Sequence, residues 1–227
     1  MGSYVEYGDF DYHRIDLVHP ERYDGILLNY ASALALDKGN LSLGGCTDTR
    51  IYMADKSNSF RVGSTSKVDD CGVVFKGRHN VVIIEDGCNL NRIFFYFRGD
   101  NNTVRIGKNT RAMGQRWGDV SIVCNGESRA ISIGIDCLIS GNIVIRNCDG
   151  HSIVNKDGEK VEEYTDINIG NHVWICENTR MYKHSGIGNN CIVAGSSVVT
   201  KSFKEDGVVV GGNPARILKQ LEGTWAV

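Results

Sequence analysis

The stretch INIGNHVWICENTRMYKHSGIGNNCIVAGSSVVT, residues 167–200, carries aliphatic or methionine side chains at Ile169, Ile175, Met181, Ile187, Val193 and Val199. Consecutive hits at a spacing of six match neither the 3.6-residue period of a helix nor the alternation of a simple strand. They describe a triangular coil of three short strands, about eighteen residues per turn, with each leading aliphatic pointing inward. The residue four places after a leading aliphatic also points inward and must be small, because three sides crowd one axis. Cys88, Thr110, Cys137, Val173 and Cys191 occupy those places, so the cysteines read as core filler rather than as a disulfide set. Near each corner stand Gly87, Asn109, Asp136 and Asn190, residues that tolerate left-handed backbone.

The same register extends upstream in longer coils. FKGRHNVVIIEDGCNL matches FRGDNNTVRIGKNTRA, aligning Phe75 with Phe97 and Ile84 with Ile106. CNGESRAISIGIDCLI is a third copy, and SNSFRVGSTSKV around Val62 is a weaker one. The additional residues per coil read as a small corner turn stacked on its neighbours, and a further excursion falls near residues 114–122. The chain therefore reads as all-β, a solenoid of stacked coils over 55–202 in which each coil buries its sides on the next. Residues 1–54 read as an N-terminal cap segment, with an amphipathic helix at 20–38. Residues 203–227 read as a final strand and helix.

Composition agrees with many short strands: the 227 residues include 27 glycines and two prolines. A net charge of −2 gives no global basic excess for nucleic acid or a membrane surface. No apolar run approaches the ~20 residues of a membrane span, and no secretory signal opens the chain. Eight cysteines with no metal-type pair favour free buried thiols, hence a reducing, cytoplasmic setting.

The repeat breaks once. After Ile133, Ile139 and Ile145 the next expected core position is His151, and the series resumes in step at Ile169. The intervening loop, 151–168, is highly charged and lacks apolar periodicity. An insertion of that length in a compact repeat points to function, as an arm walling a site against a neighbouring subunit.

The motif order His151, loop, IGNHVWI, IVAGSSVVTK and GNPAR resembles the hexapeptide-repeat acyltransferases, closely over about the last hundred residues. DGHSI followed by a polar loop resembles, within that family, bacterial enzymes that O-acetylate capsular or lipopolysaccharide sugars. The resemblance implies a left-handed parallel β-helix, usually a homotrimer, using acetyl-CoA. It implies His151 as general base, a role an imidazole with an ordinary pKa near ~6.5 suits at physiological pH. It places Trp174 beside the thioester, with Thr200, Lys201, Arg216 and Lys219 toward the phosphates of coenzyme A. Ala194, Gly195 and Ser196 would offer backbone amides to the pantetheine arm. Asp149 is expected to orient the imidazole, bind the acceptor, or serve as a turn residue. Arg116 and Trp117 are candidate acceptor contacts. The expected reaction is acetyl transfer to a carbohydrate hydroxyl, with N-acetylation of an amino sugar or its nucleotide conjugate as the alternative.

Two other classes fit less of the sequence. Zinc enzymes of this fold use three histidines, but His172 and His184 are twelve apart and so fall on different sides, and no metal site is expected. A non-catalytic scaffold leaves the combination of His151, Trp174 and the C-terminal cations unexplained.

Overall fold

A computed structural model of the protein describes residues 26–29, 41–42, 45–116 and 118–226. Three parallel sheets form the three sides of a solenoid. The first side runs from Arg50–Met53 through Gly72–Lys76, Ile93–Arg98, Val120–Asn125, Ile143–Arg146 and Arg180–Met181 to Val198–Val199. The second includes Val81–Ile84, Thr103–Ile106, Ala130–Ile133, Ile167–Ile169 and Gly186–Ile187. The third includes Arg111–Met113, Leu138–Ile139, Trp174–Ile175, Ile192–Val193 and Val208–Gly212.

The register follows the repeat. Phe97 pairs with Phe75 and with Cys124, and Ile106 pairs with Ile84 and Ile133. Ile145 pairs with Met181, so the 151–168 insertion leaves the solenoid without shifting it. All six leading residues from Ile169 to Val199 are buried, as are Cys88, Thr110, Cys137, Val173 and Cys191. All eight cysteines are free thiols. Burial pushes the Cys71 and Cys124 thiols up to about 12, which suits inert filler rather than nucleophiles. Gly87, Asn109, Asp136 and Asn190 take φ values of 77°, 58°, 56° and 53°, the left-handed corners expected from their type, and His172 joins them at 54°.

The longer upstream coils turn on an asparagine ladder between the first and second sides. The Asn80 side-chain carbonyl accepts from the Asn102 amide N–H at 2.9 Å and from Asn102 Nδ2 at 3.1 Å. Asn80 Nδ2 donates to Gly99 O at 2.9 Å and to Asn58 Oδ1 at 3.2 Å. Asn58, Asn80 and Asn102 are each fully buried, so every rung replaces water for a turn that has no strand partner.

Three boundaries differ from the sequence expectation. Ile26–Asn29, inside the expected 20–38 helix, is a strand antiparallel to Arg50–Met53. It adds to the open edge of the first sheet, where a free ladder would otherwise face solvent. The rest of that helix, residues 20–25 and 30–38, lies outside the described residues. Coil strands also begin before residue 55, since Cys46–Thr47 pairs with Lys67–Asp69 on the third side. At the other end Ala215–Gln220 is a strand, not a helix, antiparallel to Val208–Gly212. The last coil leaves a row of unpaired backbone groups on its third side, and the returning chain satisfies them. Among the described residues there is no helix, and so none long and apolar enough to cross a membrane.

Candidate active site

His151 stands where the chain leaves the solenoid, at the corner between the first and second sides. Outward-facing positions at the ends of the first-side strands lead to it: Arg98 pairs with Asn125, and Cys148 follows in the next coil. Together with the loop residues Asp149, His151, Glu162, Glu163 and Tyr164 they line a pocket open to solvent. His151 is exposed and neither ring nitrogen has a hydrogen-bond partner among the described residues.

The insertion is a hairpin, Ile153–Val154 against Lys160–Val161, closed back onto the solenoid. Tyr164 seats it. Its ring lies on Gly126, where an added Cβ would meet the ring at 2.7 Å, and φ there is +105°. Tyr164 also packs on Tyr52, Val74, Phe94, Tyr96 and Val123, a second apolar cluster outside the main core. Burial and the Glu162 carboxylate that accepts from its hydroxyl push the phenol up to about 12. Ser152 and Tyr164, both donating to Glu162, hold that carboxyl below its usual range.

A second bracket is ionic. Lys183 Nζ lies 2.6 Å from Asp149 Oδ2 and 3.0 Å from Glu163 Oε2, joining both ends of the hairpin to the next coil. His184 Nε2 lies 3.0 Å from the other Glu163 oxygen. The Asp149 and Glu163 carboxylates raise the Lys183 pKa, and Lys183 with His184 lowers that of Glu163. The sign is therefore set at both ends of the range. The bracket is lost as pH falls through the lowered Glu163 value, or rises through the raised Lys183 value. Lys183→Met is expected to speed amide exchange across residues 152–163 roughly twofold to fivefold near neutral pH, measured by mass spectrometry. An unchanged hairpin in that variant would rule the bracket out.

The remaining expected residues distribute unevenly. Asp149 is engaged by Lys183 and makes no hydrogen bond to His151, because its carboxylate turns toward the neighbouring coil. Trp174 begins a third-side strand, half-buried, its Nε1 donating to Ser140 Oγ at 3.3 Å. The single second-side strand Ile167–Ile169 thus lies between His151 and Trp174, a span of up to ~15–20 Å by strand rise. Trp174, Ile192, Val209 and Lys219 stand in register across the third side, so Trp174 and Lys219 share one column along the axis. Trp225 closes one flank of Trp174 at 6.1 Å and stacks on His172 at 4.1 Å with planes 6° apart.

Ala194, Gly195 and Ser196 form the corner between the third and first sides. The Ala194 N–H donates to Val210 O at 2.8 Å and the Ser196 N–H to Glu177 O at 3.0 Å. Those two amides are spent on neighbouring coils and are not free for a pantetheine arm, a correction that follows from the inter-coil ladder. Arg216, near the same corner, turns Nη1 back to Pro214 O and Ala215 O. Thr200 and Lys201 are exposed at the His151 corner, with Lys201 Nζ 5.1 Å above the Phe203 ring. Arg116 is exposed ahead of Val120–Asn125, a strand's length from the pocket at that strand's far end, and so outside the pocket within one chain. Trp117 lies outside the described residues. Among the described residues no cluster of three or more His, Cys, Asp or Glu side chains is arranged to hold a metal.

Sequence reasoning did not single out Arg98, Tyr164 or Lys183. Arg98 was within reach, because aligning Phe97 with Cys124 sets Arg98 beside Asn125. Lys183 sits in MYKHSG, and its partners flank a hairpin without periodicity, so no spacing marked it.

A three-sided parallel solenoid with a six-residue period and a corner insertion is the fold of the hexapeptide-repeat β-helical acetyltransferases, to which the chain is similar. Its solenoid is accordingly left-handed. The chain is 32% identical over 146 residues to the polysialic acid O-acetyltransferase of Neisseria meningitidis, covering 63% of this chain and 65% of that protein. It is 30% identical over 118 residues to the polysialic acid O-acetyltransferase of Escherichia coli O1:K1, covering 52% of this chain and 36% of that protein. Each match thus spans less than two thirds of the relative's length. The crystal structure of the polysialic acid O-acetyltransferase OatWY superposes with a TM-score of 0.73 at 29% identity, covering 83% of this chain and 86% of that one. No protein-family model matches the chain.

Proposed function

We propose that the protein is an acetyl-CoA-dependent O-acetyltransferase acting on a carbohydrate hydroxyl, in a bacterial capsular or surface polysaccharide. The observation that carries this reading is His151. It is an imidazole with both nitrogens unpartnered, opening on a pocket, in a chain similar to two polysialic acid O-acetyltransferases.

In this reading His151 takes the proton of the acceptor hydroxyl as its oxygen attacks the thioester carbonyl. The imidazolium then returns that proton to the departing coenzyme A thiolate, so the base is regenerated. Trp174 and Lys219 receive the donor along their shared column, with Arg216, Thr200 and Lys201 as further cations and polar contacts. His151 and Trp174 are separated by a full side of one chain, so the site is completed between two subunits of a cytoplasmic homotrimer. The hairpin arm, with Ile153, Val154 and Val161 exposed, reaches across that junction.

The test is acetyl transfer from labelled acetyl-CoA to a glycan panel including polysialic acid and amino sugars. An alkali-labile ester on a sugar is the expected product. An alkali-stable amide, or no transfer to any glycan while coenzyme A fails to bind, would overturn the reading.

A further inference from the structure

The His151 pocket holds a charge arrangement that the acetyl-transfer chemistry does not use. Its three carboxylates are all engaged: Asp149 with Lys183, Glu162 with Ser152 and Tyr164, and Glu163 with Lys183 and His184. Its arginine makes no such contact, although its charge acts on Glu162 and Tyr164. Arg98 lines the pocket, and its guanidinium has no hydrogen-bond or ion-pair partner among the described residues. Arg146 lies alongside: its Nη1 is 3.3 Å from where a Cβ on Gly150 would stand, directly before His151. Arg146 Nε is buried and also without a partner. A buried donor left unpaired is costly, and native proteins keep few.

Asn125, between them, adds a separate observation. It lines the pocket at 7% exposure, and its Oδ1 is buried with no hydrogen-bond partner. The pocket therefore offers one guanidinium fork and one orphaned acceptor in its lining, with a second guanidinium against its Gly150 wall. That is a complement for an anion carrying neighbouring N–H or O–H donors. Arginine forks match a carboxylate with two parallel hydrogen bonds, which a neutral sugar cannot supply.

We propose that Arg98, supported by Arg146, reads a carboxylate on the acceptor sugar, making this pocket specific for acidic glycans. The inference rests on the reading of His151 as the base at the acceptor site. Donor phosphate is the other source of an anion. The thioester, however, is the part of the donor that must meet the base, so an anion beside His151 belongs to the acceptor. Holding the carboxylate there fixes the sugar ring and brings one of its hydroxyls toward the imidazole.

The experiment compares a sialic-acid oligomer with its carboxyl-reduced counterpart, using the full chain and its Arg98→Ala and Arg98→Lys variants. Acetyl-transfer kinetics and calorimetric binding of each oligomer are both measured. The wild-type protein is expected to prefer the acid form by about tenfold or more in KM and in Kd, a preference that weakens with added salt. Arg98→Ala is expected to erase that preference while KM for acetyl-CoA stays within about twofold, and Arg98→Lys to recover part of it. A rise in the acetyl-CoA KM with the oligomer values unchanged would assign the arginine to donor phosphate and overturn the proposal. So would equal binding of the acid and reduced oligomers to the wild type. Tight, acid-selective, Arg98-dependent binding without acetyl transfer would uphold the carboxylate site and count against the enzymatic reading instead.

Discussion

Replacing His151 with alanine is expected to lower acetyl transfer by about 10²–10⁴-fold while leaving the fold and coenzyme A binding intact. The size follows from what is removed. General-base catalysis supplies that factor, and the rest of the acceleration, from positioning and stabilisation of the developing oxyanion, survives in the variant. The fold should survive because His151 is exposed on an insertion and makes no hydrogen bond among the described residues. Ile145 and Met181 continue to pair beneath it. The check is a three-way measurement: rate of ester formation, calorimetric titration with coenzyme A, and the thermal midpoint. A variant with full activity would remove the proposed mechanism. A variant that has lost coenzyme A binding as well would instead place His151 in the donor site.

The largest stability effect is expected at Asn80. Asn80→Ala takes the acceptor from the Asn102 amide and side chain and the donor from Gly99 O and Asn58 Oδ1, all at a buried corner. Two backbone groups, Asn102 N–H and Gly99 C=O, lose side-chain partners where water has no ready access. At about 1–3 kcal/mol for each unsatisfied group, a loss of about 3 kcal/mol is expected. For a chain of this size that lowers the thermal midpoint by about 6–12 °C. Asn89→Ala, at an exposed strand position, should change stability by less than about 0.5 kcal/mol and serves as the control. A midpoint for Asn80→Ala equal to that control would show that the ladder contributes nothing.

The two expected effects separate because the proposed site and the stability of the fold draw on different parts of the coil. Inward positions and corner asparagines hold the solenoid together. The outward ends of the first-side strands, with the one insertion, make the pocket. That division also explains how far each was legible beforehand. The inward set was written at a fixed period, so Ile169, Met181 and Val193 could be placed in the core from spacing alone, and His151 stood out because it broke the series. Asn80 and Asn102 recur one coil apart and mark the corner turn, although nothing in their spacing revealed the hydrogen-bonded ladder between them. At the termini the apolar pattern misled: ARILKQL has the look of a helix, yet an open sheet edge beside it made a strand the better partner for its backbone.

Sequence alone was enough to determine the triangular coil, its register, the free cysteines and the place where the repeat breaks at His151, because all of these follow from a local period that each coil repeats. Tertiary structure alone decided that Lys183 anchors both ends of the hairpin, that Asp149 is turned away from His151, and that two coil amides are already spent. It also decided that Arg98 lines the His151 pocket without a hydrogen bond or ion pair among the described residues, with Arg146 against Gly150. These are contacts between coils and an aperiodic loop, where the partner is chosen by three-dimensional proximity and charge, and no spacing along the chain encodes it.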